Sequence, residues 1–217
     1  MDKIIFADFD EEGVFVYQAF KPKIVDVAVK LGTFGKGFGL DRITWIKPSL
    51  CWVLRRTKYG TKNRMQAVAR IKITHEAFNE ILNQSIETHW NEAIFPQQKD
   101  WQRTINKSDV IHQWDPERDI VGKRLNRQAI QIGIRGEVIK KYVSHFIIGV
   151  EDISDLVHEI GRIKKRGSNK YPDTPIEKEY QLSNALFMKL GCKREVIPQL
   201  DAKSTNSADV RLFTNKK

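Results

Sequence analysis

The sequence predicts an α+β protein: a mixed sheet with flanking helices and a C-terminal helical extension. Three observations carry that reading. Short runs rich in β-branched and aromatic residues (14–20, 67–73 and 129–134) alternate with stretches whose apolar residues recur at helical spacing. Neither an internal repeat nor a heptad organises the chain. Its 217 residues suffice for one large core, and no Ser/Thr-rich linker divides residues 14–162. Residues 1–162 therefore read as the main α+β domain. Residues 163–217 read as a basic connector, a helix and a mobile tail packed on that same domain.

In chain order, residues 14–20 form the first strand, and Pro22 restricts how far it can extend. Ile24, Val25, Ala28, Val29 and Leu31 fit a short amphipathic helix. Gly32, Gly35, Gly37 and Gly39 make the next loop permissive, either as a connector or as a backbone cradle for a phosphate. It matches neither a P-loop nor a dinucleotide fingerprint. Residues 44–49 read as a strand entering a helix, with Pro48 at the first helical position. Ile46, Leu50, Val53 and Leu54 bury one side of that helix and leave Arg55 and Arg56 at its C-terminal end, where the dipole favours cations. Residues 59–63 break the pattern, and 67–73 alternate as a half-buried strand.

A helix over 75–90 comes next, capped by Thr74 and facing inward through Phe78, Ile81, Leu82, Ser85 and Ile86. Residues 96–108 are loosely patterned, with one turn pinned by Trp101 and Ile105. Residues 110–118 read as a strand closed by a turn at Pro116. Either Asp115 bonds local backbone there and Glu117 pairs with Arg118 in solvent, or the two acids serve a ligand. Residues 129–134 form a strand, and Gly133 and Gly136 permit a sharp passage into a helix over 137–146, with Arg135 beside a potential anion site. A buried strand over 145–150, a helix to Arg162 capped by Asp152 or Ser154, a basic connector over 162–170 and a helix from Ile176 complete the ordered part. The segment after 202 is polar.

Charge points to the class of partner. Lys and Arg outnumber Asp and Glu by 37 to 27, and residues 42–75 hold nine Lys or Arg with no acid. Such a balance suits nucleic acid or a phosphorylated small molecule. No apolar run approaches the roughly 20 residues of a membrane span, and the acids at 8–12 are unlike a signal peptide. A cytoplasmic protein without membrane association is expected. Two cysteines make neither a disulfide framework nor a metal pattern, and five histidines are scattered, so no metal site is expected.

The polar residues that strand ends and adjoining turns can bring together are Tyr17, Gln18, Lys47, Ser49, Arg55, Gln113, Asp115, Glu117, Gln131 and Arg135. Donors, acceptors and fixed positive charge are present without an activated Ser or Cys. That set suits a phosphate-bearing ligand and charge stabilisation at an electrophilic carbon better than acyl transfer. Lys47, at the strand-to-helix junction, is expected to join the free N–H groups of the helix in an anion site beside an indole.

Tyr17-Gln18-Ala19-Phe20, Thr44-Trp45-Ile46-Lys47-Pro48-Ser49, Gln113-Trp114-Asp115-Pro116-Glu117-Arg118 and Ile130-Gln131-Ile132-Gly133-Ile134-Arg135-Gly136 together resemble a family of small uncharacterised bacterial and fungal proteins, classed as a domain of unknown function, over residues 14–190. More distantly, the element order is similar to the ADP-ribosyltransferase fold, including its NAD-dependent RNA 2′-phosphotransferase branch. That resemblance implies NAD as the nucleotide and Glu117 as the acid that orients a ribose hydroxyl. It sets Tyr17 and Gln18 where the fold carries Arg or His, and Thr44 and Ser49, around Trp45, on its second strand. The expected catalytic set is then Glu117, Gln131 and Tyr17. Gln18, Thr44, Trp45, Lys47, Ser49, Arg55 and Arg135 are expected to hold the nucleotide, with Trp45 or Trp52 stacking on its base. The resulting expectation is a nucleotide-binding transferase acting on a nucleic-acid or other polyanionic substrate. The competing expectation is a non-catalytic RNA- or DNA-binding module that has no use for Glu117.

Overall fold

The computed structural model describes residues 1–192. In chain order the strands are β1 (Asp2–Lys3), β2 (Phe6–Ala7), β3 (Gly13–Phe20), β4 (Thr44–Ile46), β5 (Ala67–Thr74), β6 (Ile86–Glu87), β7 (Val110–Arg118), β8 (Arg124–Ile134), β9 (Ile147–Asp152) and β10 (Lys178–Glu179). The helices are α1 (Pro22–Leu31), α2 (Leu50–Arg56), α3 (His75–Gln84), α4 (Gln98–Lys107), α5 (Gly136–Lys141), α6 (Ser154–Lys165) and α7 (Asn184–Lys189). A π-helical turn over Tyr142–Phe146 continues α5.

These elements make two main sheets. β3, β5 and β9 form an antiparallel sheet with β5 in the middle. Ile71 and Ile73 of β5 point into the core, while Arg70 and Lys72 alternate outward, as a strand's two-residue period requires. Arg70 lies 3.4 Å over the Phe15 ring and pairs with Asp8 and Glu151 at 2.5 and 2.7 Å. The second sheet is built around β8. One edge of β8 pairs with β7 along most of its length; the other takes β1 in parallel near Arg127 and β4 antiparallel near Ile134. β6 extends this sheet beyond β7, and β2 with β10 forms a small separate ribbon.

The sheets meet at one bridge: the Tyr17 N–H donates to the Lys47 carbonyl at 2.7 Å, and the Lys47 N–H to the Tyr17 carbonyl at 3.3 Å. The main core joins Phe78, Ile81 and Leu82 of α3 to Ile130, Ile132 and Ile134 of β8, with Ile71 and Ile73 from the other sheet. A smaller cluster of Tyr17, Leu50, Val53, Leu54, Val68, Val157 and Ile160 clamps α2 and α6. Burying each such aliphatic side chain is worth about 1.5–3 kcal/mol relative to exposure. That cluster holds α2 rigidly, so the exposed Arg55 and Arg56 stand on a fixed base.

Several elements differ from the sequence-based expectation for identifiable reasons. Pro48 precedes α2, and Ser49 is the N-cap, accepting the Trp52 N–H at 3.2 Å. The helix from His75 stops at Gln84, because the chain turns at Ser85 and Ile86 joins β7 in parallel. Residues 98–107 form a ten-residue helix, held where the Trp101 indole donates to the Glu87 carbonyl. No turn closes at Pro116: β7 continues to Arg118, and the turn falls at 119–123, where Asp119 accepts the N–H groups of Val121 and Lys123. Glu117 accordingly accepts the Arg118 backbone N–H, and Asp115 is bonded by glutamine side chains. β9 is an edge strand with Ile148 46% exposed, so the expectation of a buried strand there fails. Of the two caps expected for α6, the Asp152 carboxylate accepts the N–H of Ser154, the first residue of the helix, at 2.8 Å, whereas the Ser154 hydroxyl accepts the Val68 N–H. The helix expected from Ile176 is replaced by extended chain and β10, with α7 beginning only at Asn184. The expected mobile tail after residue 202 lies outside the described residues.

Candidate functional site

Where the two sheets diverge from their bridge, a cleft of about 850 Å³ opens. The end of β3 and the start of α1 supply Gln18, Ala19, Phe20 and Lys21. β4 and the segments flanking it supply Arg42, Thr44, Trp45 and Lys47. α2 contributes Trp52, Arg55 and Arg56, and the loop before β5 contributes Arg64 and Met65. Gln113 and Asp115 of β7 and Gln131 of β8 complete the lining. Six cationic side chains thus face one carboxylate.

The polar floor is pre-arranged by strand register. Gln113 and Gln131 sit directly opposite one another, and Asp115 lies two residues further along on the same face. The Gln131 amide donates to one Asp115 oxygen at 2.6 Å, and the Gln113 amide to the other at 3.2 Å. Burial raises the Asp115 carboxyl above its ordinary value, against these two amides and the charge of Lys47. Gln18 is fixed at both ends: it donates to the Thr44 hydroxyl at 2.7 Å and the Trp45 carbonyl, and accepts from Tyr142 at 3.0 Å.

Lys47 is 8% exposed, with its ammonium 4.8 Å from the Trp52 ring centre. It has no ion pair and no side-chain hydrogen bond among the described residues. Burial, reinforced by Arg56, pulls its pKa from 10.5 to about 7, and Asp115 offsets part of this. The α2 N-terminus does not assist it as the sequence implied. Glu177 takes the Leu50 N–H at 2.6 Å, and Ser49 takes that of Trp52, so these two donors are already occupied by the protein itself.

A profile described as "Domain of unknown function (DUF4291)" matches residues 4–180. The chain belongs to the DUF4291 family. No curated protein matches it. In this DUF4291 domain, no described helix is long and apolar enough to cross a membrane. No group of three or more His, Cys, Asp or Glu residues able to hold a metal ion occurs among the described residues.

Of the residues singled out from the sequence, Gln18, Thr44, Trp45, Lys47, Trp52, Arg55, Gln113, Asp115 and Gln131 converge in the cleft of the DUF4291 domain. Four do not. Tyr17 is fully buried in the α2–α6 cluster, and its hydroxyl is pushed above its ordinary pKa by that burial. Ser49 and Glu117 are buried against each other, the hydroxyl donating to the carboxylate at 3.0 Å, and burial raises the Glu117 pKa. Arg135 is spent on the backbone carbonyls of Ile105, Asn106 and Ser108, and Asp109 occupies the N-terminus of α5 by accepting the Glu137 N–H at 2.9 Å. The glycine loop at 32–39 does not line the cleft either. It packs Phe34 on Phe38 at 4.3 Å and both against Phe20. Arg42 and Arg64 also line the cleft, and Arg56, which the sequence places only at the cation-favouring end of α2, joins them; all three fall in the acid-free stretch at 42–75.

Proposed function

We propose that this chain is a nucleotide-binding transferase, of ADP-ribosyltransferase type, that takes NAD or a related nucleotide in the cleft and modifies a nucleic-acid or other polyanionic acceptor. One observation carries the reading: a single carboxylate, braced by two amides, lies in a cleft whose other charged groups are all cationic. The cleft volume falls in the range of about 300–1,000 Å³ usual for ligand sites. The exposed arginines on α2 and the neighbouring segments hold the phosphates, for which planar guanidinium groups are suited. Trp45 and Trp52 offer ring surface to a base.

In this reading Asp115 takes the role that the resemblance gave to Glu117. When the bond from the ribose carbon to nicotinamide breaks, positive charge develops at that carbon, and a fixed carboxylate beside it stabilises the transition state. The acceptor's oxygen or nitrogen then bonds to the same carbon and gives up its proton. Glu117 acts indirectly, by holding Ser49 and hence the start of α2.

The arginine rim favours one second reading, a non-catalytic RNA- or DNA-binding module, in which Asp115 has no task. Titration calorimetry with NAD, ADP-ribose and ATP, combined with nicotinamide-release assays in the presence of RNA, separates the two. We expect Arg55→Glu/Arg56→Glu to weaken nucleotide binding by about tenfold or more. Asp115→Asn should leave nucleotide binding within about threefold while abolishing release, the signature of an interaction made in the transition state. No heat at millimolar nucleotide together with retained RNA binding would select the second reading.

A further inference from the structure

We propose that Lys47 is a covalent site: its side-chain amine condenses with the open-chain carbonyl of a phosphorylated aldose held in the cleft. This rests on the reading of the cleft as a phosphate-binding site and adds a chemistry that the reading does not contain. An ordinary phosphate-binding lysine gains from being charged, accessible and near acceptors. Lys47 has the opposite setting. It is buried among Trp52 and the cleft wall, Arg56 repels its charge, and no carboxylate holds it within ion-pair distance among the described residues. Desolvation beside another cation is the arrangement that activates a nucleophilic lysine.

The surrounding groups fit the reaction. With a pKa of about 7, about half the Lys47 amines are neutral at pH 7, against roughly one in three thousand for an unperturbed lysine. The amine attacks the carbonyl carbon, a C–N bond forms, and the carbonyl oxygen gains a proton to give a carbinolamine. Loss of water then leaves the imine. Asp115, which senses the Lys47 charge and is itself raised by burial, stands in the same cleft to move those protons. The titratable groups facing the cleft besides these two are Lys21, Arg42, Arg55, Arg56 and Arg64, all cationic; Arg56 lowers the amine's proton affinity, and the set leaves the sugar's phosphate several partners. An aldose that ends a nucleotide, such as the terminal ribose of ADP-ribose, satisfies the same requirements as a simple sugar phosphate.

The test incubates the full chain with ribose 5-phosphate or ADP-ribose and sodium cyanoborohydride, which reduces the imine to a stable secondary amine. Intact mass and peptide mapping then locate the adduct. We expect a single adduct, heavier by the sugar phosphate less one oxygen atom, on Lys47. It should form at least about 100-fold faster than at any other lysine, with half-maximal rate near pH 7 and competition by inorganic phosphate. Lys47→Arg should lose it. The wild-type map needs no variant, so a poorly folding substitution does not decide the result. Labelling spread over surface lysines, or none at Lys47, while calorimetry still shows nucleotide binding would overturn the covalent role and leave the cleft reading intact. Absence of both labelling and binding would overturn both.

Discussion

Replacing Lys47 by Met tests the electrostatics of the cleft without any ligand. Met keeps most of the apolar stem and removes the ammonium. The displacement of the Lys47 pKa from 10.5 to about 7 corresponds to a penalty of ~5 kcal/mol for holding the charged form in the folded protein. The sign comes from proton counts. Between pH 7 and 10.5 the unfolded chain binds the proton and the folded chain does not, so this residue's contribution to stability rises with pH across that window. Below pH 7 the folded chain carries the whole penalty, and above 10.5 it carries none. Against this, Met forfeits the ammonium's contact with Trp52, worth roughly 0.5–2 kcal/mol.

Lys47→Met is therefore expected to stabilise the fold by ~3 kcal/mol at pH 6, with the gain shrinking to about 1 kcal/mol or less at pH 10, where the folded amine is already neutral. Paired urea titrations of both proteins at pH 6, 8 and 10 measure it, and taking the difference at each pH cancels every group that the two share. A variant that is less stable at pH 6, or whose difference does not change with pH, would refute the claim that the amine is buried at a cost.

Local geometry sets three further outcomes. Glu177→Gln keeps an oxygen that can accept the Leu50 N–H but abolishes ionisation. Burial raises the Glu177 pKa from 4.5 to about 8, so the wild type loses stability as pH rises from 4.5 to 8, and the variant should melt higher at pH 8.5 yet match it near pH 4. Ser49→Ala removes the α2 cap and one donor to the buried Glu117, and should cost about 1–3 kcal/mol in denaturant titrations; a loss near zero would mean that water replaces both bonds. Gly136→Ala puts a methyl group 2.1 Å from an Asp109 carboxylate oxygen at a backbone φ of 58°, so a loss of roughly 1–3 kcal/mol is expected, read as a lowered melting temperature.

The elements legible in the sequence are those whose signals are local. Thr74 is the cap that the sequence implies, accepting the Ala77 N–H at 3.1 Å, and the alternation around Ile71 and Ile73 marks β5 directly. The span after residue 170 was illegible for the opposite reason. Tyr180, Leu182, Leu186 and Leu190 resemble a helical stripe, yet Tyr180 is buried against Phe9 and Phe78 from extended chain. Glu177 is anchored on α2, and the strand at Lys178 pairs with β2. Those partners lie more than a hundred residues away, and no window of sequence contains them. The cleft shows the same division. Its charge was legible because nine cations fall in one acid-free stretch, whereas Arg135 was misplaced because its acceptors are carbonyls at the end of α4, which no side-chain pattern reveals.

The exchange of Glu117 for Asp115 as the accessible acid stems from one residue. In an uninterrupted strand, positions two apart share a face, so both carboxylates would enter the same cleft and repel one another across its floor. Pro116 between them has no N–H to give to the ladder, and the register with β8 shifts between Pro116 and Arg118. Before the shift, Asp115 lies on the face of Gln113 and Gln131 and is held by their amides. After it, Glu117 turns away from the cleft to the N-cap of α2 and is satisfied by Ser49 and the Arg118 N–H. The proline that suggested a turn thus acts as a switch of face. It leaves the cations of α2 and Lys47 opposite a single carboxylate, and it gives the second one the separate task of fixing the helix that carries Arg55 and Arg56.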